Sequence, residues 1–242
     1  NIKMIVSYDG SGFHGWQTQK NLRTIQETIE RALCKLLGEP TSICASGRTD
    51  AGVHAMGQVF NFRCGQFMPL DAVFRALNAG LPGDIRVMDA EEVDQGFHAR
   101  RMSKSKLYVY IIDTSEAPSP FLRRYALHEG RALDLDAMQQ AAAEIQGRHD
   151  FISFMASGSS IRTTTREVYV SRVFRQGTRL YYMIEGSGFL RYMVRNIVGT
   201  LLLVGRGRMG AHEVPGIIAG RDRSLAGPTV GPQGLYLLKV RY

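Results

Sequence analysis

Ser46-Gly47-Arg48-Thr49-Asp50-Ala51-Gly52-Val53-His54-Ala55 is the stretch on which the reading of the fold turns. It follows the short run Thr41-Ser42-Ile43-Cys44-Ala45 and precedes the alternating run Gln58-Val59-Phe60-Asn61-Phe62, so it reads as a loop between two strands. Gly47 and Gly52 let the backbone bend tightly on both sides of one carboxylate, Asp50. Arg48, two residues away, would set a fixed positive charge near that carboxylate and keep it ionised, as a nucleophile or a base requires. The same residues also make an ordinary turn, in which Asp50 bonds its own backbone and Arg48 faces water.

Outward from this loop, the first hundred residues predict a β-α-β-β-α-β order. Ile2 to Tyr8 is a strand, and Thr24 and Glu27 form a capping box for a helix whose stripe is Ile25, Ile29, Leu33, Leu36 and Leu37, ended by Gly38. Pro69 opens a second helix with Leu70, Val73, Phe74 and Leu77 on one face and Gly80 at its exit, and Ile85 to Met88 returns as a strand. That order gives an antiparallel sheet with helices on one face. Gly10-Ser11-Gly12-Phe13-His14-Gly15 matches the dinucleotide fingerprint only in spelling. The glycines run into the polar loop Trp16 to Asn21 instead of opening a helix, and Glu30, at the offset of the acidic partner, falls in mid-helix.

At 242 residues, 44% hydrophobic and 21% charged, the chain has the composition of one large or two modest soluble domains. The balance of 30 Lys+Arg against 22 Asp+Glu favours a polyanionic partner, most simply nucleic acid. Cys34, Cys44 and Cys64 are odd in number and lack paired metal-ligand spacing, which fits a reducing cytoplasm, and the start goes straight into a strand pattern with no visible targeting segment. The longest apolar segment, Phe189 to Val204, carries Arg191 and Arg195 and is short for a membrane span, so it reads as a buried helix.

The second half begins with a basic joint, Phe97 to Lys106, holding Arg100, Arg101, Lys104 and Lys106, which are expected to bind RNA through its phosphates. Leu107 to Ile112 follows as a strand with Tyr108 and Tyr110 on one face; a strand tyrosine beside basic residues either stacks on a nucleobase or packs in the core. Asp134 to Gln146 is a third helix, Ser157 to Thr165 a loop, and Arg166 to Phe174 with Arg179 to Glu185 a hairpin turning at Gln176-Gly177-Thr178. In the helix from Phe189, Arg191 and Arg195 stand one turn apart at the edge of the apolar stripe, either snorkelling to solvent or held against a carboxylate. Gly234 to Val240 reads as a last strand, central in its sheet.

Six blocks, in order along nearly the whole chain, resemble the motifs of the bacterial tRNA pseudouridine synthase I (TruA) family. They are Ser7-Tyr8-Asp9-Gly10, Gly47 to Ala55, Phe97-His98-Ala99-Arg100, Tyr108-Val109-Tyr110, Met193 to Gly199 and Gly234-Leu235-Tyr236-Leu237. The resemblance implies isomerisation of uridine to pseudouridine in the tRNA anticodon arm without cofactor or metal. It implies an α+β fold of two β-α-β-β-α-β-like lobes, 1–103 and 104–242, joined into one continuous, mostly antiparallel sheet with the active-site cleft between them. A homodimer is implied as well. On this resemblance Asp50 is the catalytic aspartate, Tyr108 stacks on the target uracil, Arg195 pairs with Asp50, Leu235 is the apolar floor and Arg48 holds the flipped-out base.

The chemistry is consistent with that assignment. Breaking the bond from ribose to uracil N1 and rejoining through C5 needs one nucleophile or base and a held uracil. Hydrolytic glycosidases need two carboxylates because water must be activated and a leaving group protonated. Two alternatives were weighed. A non-catalytic RNA-binding module on the same β-α-β-β-α-β order predicts the aromatic signature K/R-G-F/Y-G/A-F-V-x-F/Y, which is not in the sequence. A small-molecule nucleosidase predicts a second carboxylate or a metal cluster close to Asp50, and the loop supplies neither.

Overall fold

The computed structural model describes residues 1–65, 68–156, 158, 161 and 163–242. In chain order its first half contains β1 (Ile2–Tyr8), α1 (Ile25–Leu37), β2 (Cys44–Ala45), β3 (His54–Phe62), α2 (Leu70–Gly80) and β4 (Ile85–Glu92). There follow β5 (Ser105–Asp113), β6 (Leu127–His128), α3 (Leu135–Ala143), β7 (Gly147–Asp150), β8 (Thr165–Gln176), β9 (Arg179–Gly186), α4 (Met193–Gly205), α5 (Val214–Gly220) and β10 (Leu235–Arg241). The fold is thus mixed α+β. The chain forms two compact units, Asn1–Lys104 with Tyr236–Tyr242, and Ser105–Leu235.

In the first unit β1 pairs antiparallel with β3 on one side and β4 on the other, Met4 lying opposite Phe60 and Ala90. Its alternate residues Met4, Val6 and Tyr8 are buried, as a strand with one covered face requires. The stripe of α1 is buried at Ile25, Ile29, Leu33 and Leu37, each such side chain contributing about 1.5–3 kcal/mol, and Gly38 closes the helix at φ +73°. The expected capping box does not form. Thr24 makes no side-chain cap bond, its hydroxyl is buried without a partner, and Arg31 takes the Glu27 carboxylate at 2.7 Å instead. Asn78 fastens α2 to β4 by both accepting from and donating to the Val87 backbone. β10, assigned from sequence to the lobe 104–242, runs parallel to β3 with Tyr236 opposite His54, and so from Tyr236 onward it belongs to the first unit.

In the second unit β5, β9, β8 and β7 form successive antiparallel pairs, and the short β6 runs parallel to β5. The β8–β9 hairpin turns through Gly177 and Thr178, with Gly177 at φ +60°. α3 is shorter than its apolar spacing predicts, because Ile145 and Gln146 wind into tighter turns before Gly147 at φ +106°. α4 begins at Met193 and not at Phe189. Tyr192 adopts φ +64°, which a continuing right-handed helix cannot contain, so Arg191 lies outside the helix and does not stand one turn below Arg195 in it. Within α4 every residue except Arg195 and Leu203 is buried. The loop expected over Ser157 to Thr165 falls partly outside the described residues, at Ser157, Ser159, Ser160 and Arg162. Among the described residues no helix is long and apolar enough to cross a membrane.

Candidate active site

Asp50 is half-buried on the loop between β2 and β3, and hydrogen bonds from neighbouring parts of the chain hold that loop. On one side the Thr49 carbonyl accepts from the Trp16 backbone N–H at 3.0 Å, and the Thr49 hydroxyl meets the Tyr8 hydroxyl at 2.8 Å. On the other, the Gly52 N–H donates to the Phe13 carbonyl and the Val53 N–H to the Asp50 carbonyl. The backbones cross so closely that side chains are excluded. A Cβ at Gly10 would lie 2.0 Å from the Val53 carbonyl oxygen, and one at Gly15, itself at φ +89°, would lie 2.8 Å from that of Thr49. Thus two of the three glycines that spell a false dinucleotide fingerprint, Gly10 and Gly15, let this segment pass against the Asp50 loop.

Buried polar side chains complete the fastening. Gln58 accepts from the Ser46 hydroxyl at 2.7 Å and donates to the Gly47 carbonyl at 3.0 Å. His54, 2% exposed, stacks on Tyr236 with ring centroids 4.7 Å apart, its Nδ1 lying 3.1 Å from the Gly10 N–H and 3.2 Å from the Asp9 carboxylate. Burial pushes the Tyr8 phenol well above the usual tyrosine range, its hydrogen bonds to Thr49 and Gln58 opposing the shift, so it remains a neutral partner for the loop. Sequence reasoning missed Tyr8, Gly15, Trp16, Gln58 and His54 as supports; the only signal was that Tyr8-Asp9-Gly10 forms a motif without evident chemistry of its own. Arg48 is exposed.

In the second unit Tyr108 is buried on β5 and meets Phe189 edge to face, centroids 5.2 Å apart. Its neighbour Tyr110 donates to the Gly231 carbonyl at 2.7 Å. A Cβ at Gly234 would lie 2.6 Å from the Ile111 carbonyl oxygen and 2.7 Å from the Tyr110 ring, which is why glycine precedes the buried Leu235. Burial raises the Tyr110 phenol above its ordinary range, and the charge of Arg195 pulls the other way.

Arg195 does not simply snorkel. Its Nε donates to the Val230 carbonyl at 2.8 Å, and its guanidinium lies 4.7 Å from the Tyr192 ring centroid. The residue after it is equally placed: the Asn196 side chain donates to the Phe154 carbonyl at 2.7 Å and accepts from Arg223 at 3.1 Å and from Thr229 at 2.5 Å. One turn on, a Cβ at Gly199 would lie 1.8 Å from the Pro228 carbonyl oxygen. The block Arg195 to Gly199 therefore docks the segment 223–230 against the start of α4.

The basic joint divides. Arg100, Arg101 and Lys104 are exposed, whereas Lys106 is buried on β5, away from the solvent face expected of a phosphate contact. Its strand position explains this, since Lys106 pairs with Gly186 of β9. The joint is anchored in the first unit by Ala99, whose N–H donates to Asn61 at 2.9 Å and whose carbonyl accepts from Tyr242 at 2.8 Å.

Fold and loop together define an α+β protein that presents one aspartate on a rigid support. Residues 4–100 and 141–242 match the family described as tRNA pseudouridine synthase. The chain is 46% identical over 242 residues to the tRNA pseudouridine synthase A of Acetivibrio thermocellus, covering 100% of this chain and 99% of that protein. It is 46% identical over 241 residues to the protein of the same name from Syntrophomonas wolfei, covering 100% and 97%. Among solved structures, a Cbf5-Nop10-Gar1 complex is matched at 14% identity and a TM-score of 0.35, over 84% of this chain and 54% of that one, too distant to argue from. The chain belongs to the tRNA pseudouridine synthase family, whose members are isomerases.

Proposed function

We propose that this chain isomerises uridine to pseudouridine in the anticodon arm of tRNA, with Asp50 as the catalytic residue. In this reading the bond from ribose C1′ to uracil N1 breaks, the uracil turns in place, C1′ joins C5, and the proton lost from C5 is balanced by one gained at N1. Tyr108 stacks on the extruded base, Arg195 pairs with Asp50 and keeps it ionised, Leu235 forms the floor and Arg48 helps to hold the base. Arg100, Arg101 and Lys104 supply phosphate contacts, and no cofactor or metal takes part. The protein works in the cytoplasm as a homodimer, a state that light scattering tests.

The observation that carries this reading is the fastening of the Asp50 loop. A carboxylate on a loop crossed by Gly10 and Gly15 and clamped by Tyr8, Gln58 and His54 keeps its position while the detached uracil turns and rejoins the ribose. The test is Asp50→Asn. Pseudouridine formation should fall by about a thousandfold or more while tRNA affinity, set by phosphate contacts, changes little. Activity within about tenfold of wild type would reject the assignment.

A further inference from the structure

Between β5 and α3 the chain makes a turn whose most exposed member is aromatic. Phe121 is 85% exposed, the highest value among the large apolar side chains of the described residues, and Tyr125 is 38% exposed. Arg123 and Arg124, in the same turn, are exposed. The turn is built rather than loose: the Leu122 N–H donates to the Ser119 carbonyl at 3.1 Å, and the Tyr125 and Ala126 N–H groups donate to the Leu122 carbonyl at 2.8 and 2.9 Å. Two nearby carboxylates are withdrawn from solvent. Asp113 is buried and accepts from the Ser115 hydroxyl at 2.8 Å, and Glu129 is buried against Arg206; Glu116 is exposed, as are Asp134 and Asp136 further along the chain. The turn itself, 119–125, carries two arginines and no carboxylate around a projecting ring. This turn also lies in 101–140, the stretch between the two segments that match the family.

We propose that the Phe121–Arg124 turn is an additional tRNA contact surface, Phe121 stacking on an unpaired base and the arginines holding flanking phosphates. The proposal rests on the reading of tRNA as substrate. Charge complementarity decides for RNA over a protein partner: an exposed aromatic ring among arginines is the pairing used to hold single-stranded nucleic acid, since every base offers a π-face and every nucleotide a phosphate. A turn held by its own backbone bonds loses little freedom on binding.

The experiment measures binding of intact tRNA as a function of salt, with single-turnover pseudouridine formation at saturating tRNA on the same preparations. Phe121→Ala should weaken binding about tenfold, and Phe121→Tyr should restore it. The double variant Arg123→Ala, Arg124→Ala should reduce the slope of log affinity against log salt by about one to two. Turnover at saturation should remain that of wild type in every variant. Unchanged affinity and unchanged slope would overturn the proposal. So would loss of self-association, seen by light scattering, with RNA binding intact, because the turn would then contact a second copy. If wild-type protein neither binds tRNA nor forms pseudouridine, the reading of function fails with it; wild-type activity with unaffected variants overturns the surface alone.

Discussion

In the first unit the loop carrying Asp50 is held mainly by the Tyr8 and Thr49 hydroxyls, the Gln58 amide and backbone carbonyls, with His54 beside the Asp9 carboxylate as an exception. In the second, the start of the helix carrying Arg195 is held by an amide that accepts from a cation, Arg223, and by a carbonyl that receives Arg195 itself. Both use the same two devices, a glycine where backbones cross and a buried amide with three partners. The contrast is chemical. Hydroxyls and an amide fix a loop by direction alone, whereas an arginine set against a carbonyl, beside an amide that holds a second arginine, is fixed in direction as well as in charge.

The largest effects should come from breaking the crossings. Glycine in the middle of a helix ordinarily gains about 1 kcal/mol when replaced by alanine. Gly199→Ala should do the reverse and lose about 3 kcal/mol, because its Cβ would lie 1.8 Å from the Pro228 carbonyl oxygen and backbone must move. Gly10→Ala, with its contact at 2.0 Å to Val53, should lose about 2–3 kcal/mol. Urea denaturation measures both, and a Gly199→Ala protein more stable than wild type would show that the crossing has been misread.

The same crossings mark what was legible in the sequence and what was not. The strands, the helices, the loop and Asp50 were readable because period-two and period-3.6 patterns and the glycines at 47 and 52 are local. The start of α4 was not, because the apolar pairs continue smoothly from Phe189 and only the conformation of Tyr192 interrupts them. Lys106 sits in a basic run yet faces inward because strand pairing, and not charge, sets its direction. The reasons for Gly10, Gly15 and Gly199 are contacts with Val53, Thr49 and Pro228, and no window of sequence contains such distant partners.

The buried amides come next. Asn196→Ala removes three hydrogen bonds and leaves the Phe154 carbonyl and Thr229 hydroxyl without that partner, for a loss of about 2 kcal/mol. Gln58→Ala, which also loses the bond from the Val59 N–H, should lose a similar amount. The two should differ in function. Gln58→Ala loosens the Asp50 loop and should lower turnover at saturating tRNA several-fold beyond any unfolding, measured where circular dichroism shows full folding. Equal, proportional losses in both variants would mean that Gln58 acts only through stability.

Alkaline pH separates the units by a smaller amount. Burial raises the folded-state phenols of Tyr8 in the first unit and Tyr182 in the second above the ordinary tyrosine range. Up to about pH 10 both are neutral whether the chain is folded or unfolded, and they add no slope. Above it the unfolded chain releases protons that the folded chain keeps, so stability falls as pH rises, by about 1.4 kcal/mol per pH unit for each tyrosine. Tyr8→Phe and Tyr182→Phe should each remove one such contribution from denaturation curves at pH 9 to 11. A slope unchanged by Tyr8→Phe would show that this phenol ionises in the folded protein.

The smallest effect probes the hydroxyl pair that ties β1 to the Asp50 loop. Tyr8 and Thr49 are both buried with their oxygens 2.8 Å apart, so Tyr8→Phe takes that partner from the Thr49 hydroxyl, Thr49→Val leaves the Tyr8 hydroxyl with Gln58, and the double variant removes both hydroxyls. Each single change should lose about 1–2 kcal/mol, and the double change less than their sum, giving a coupling of about 1 kcal/mol. The rate of pseudouridine formation carries the sharper information. If the pair serves the loop, turnover in all three variants should fall by a similar factor, because each one frees Thr49, the residue before Asp50. If the pair serves only the packing of β1, turnover per folded molecule should stay at the wild-type value even where stability falls, and the neutral fastening of the loop would then rest on Gln58 and the glycine crossings alone.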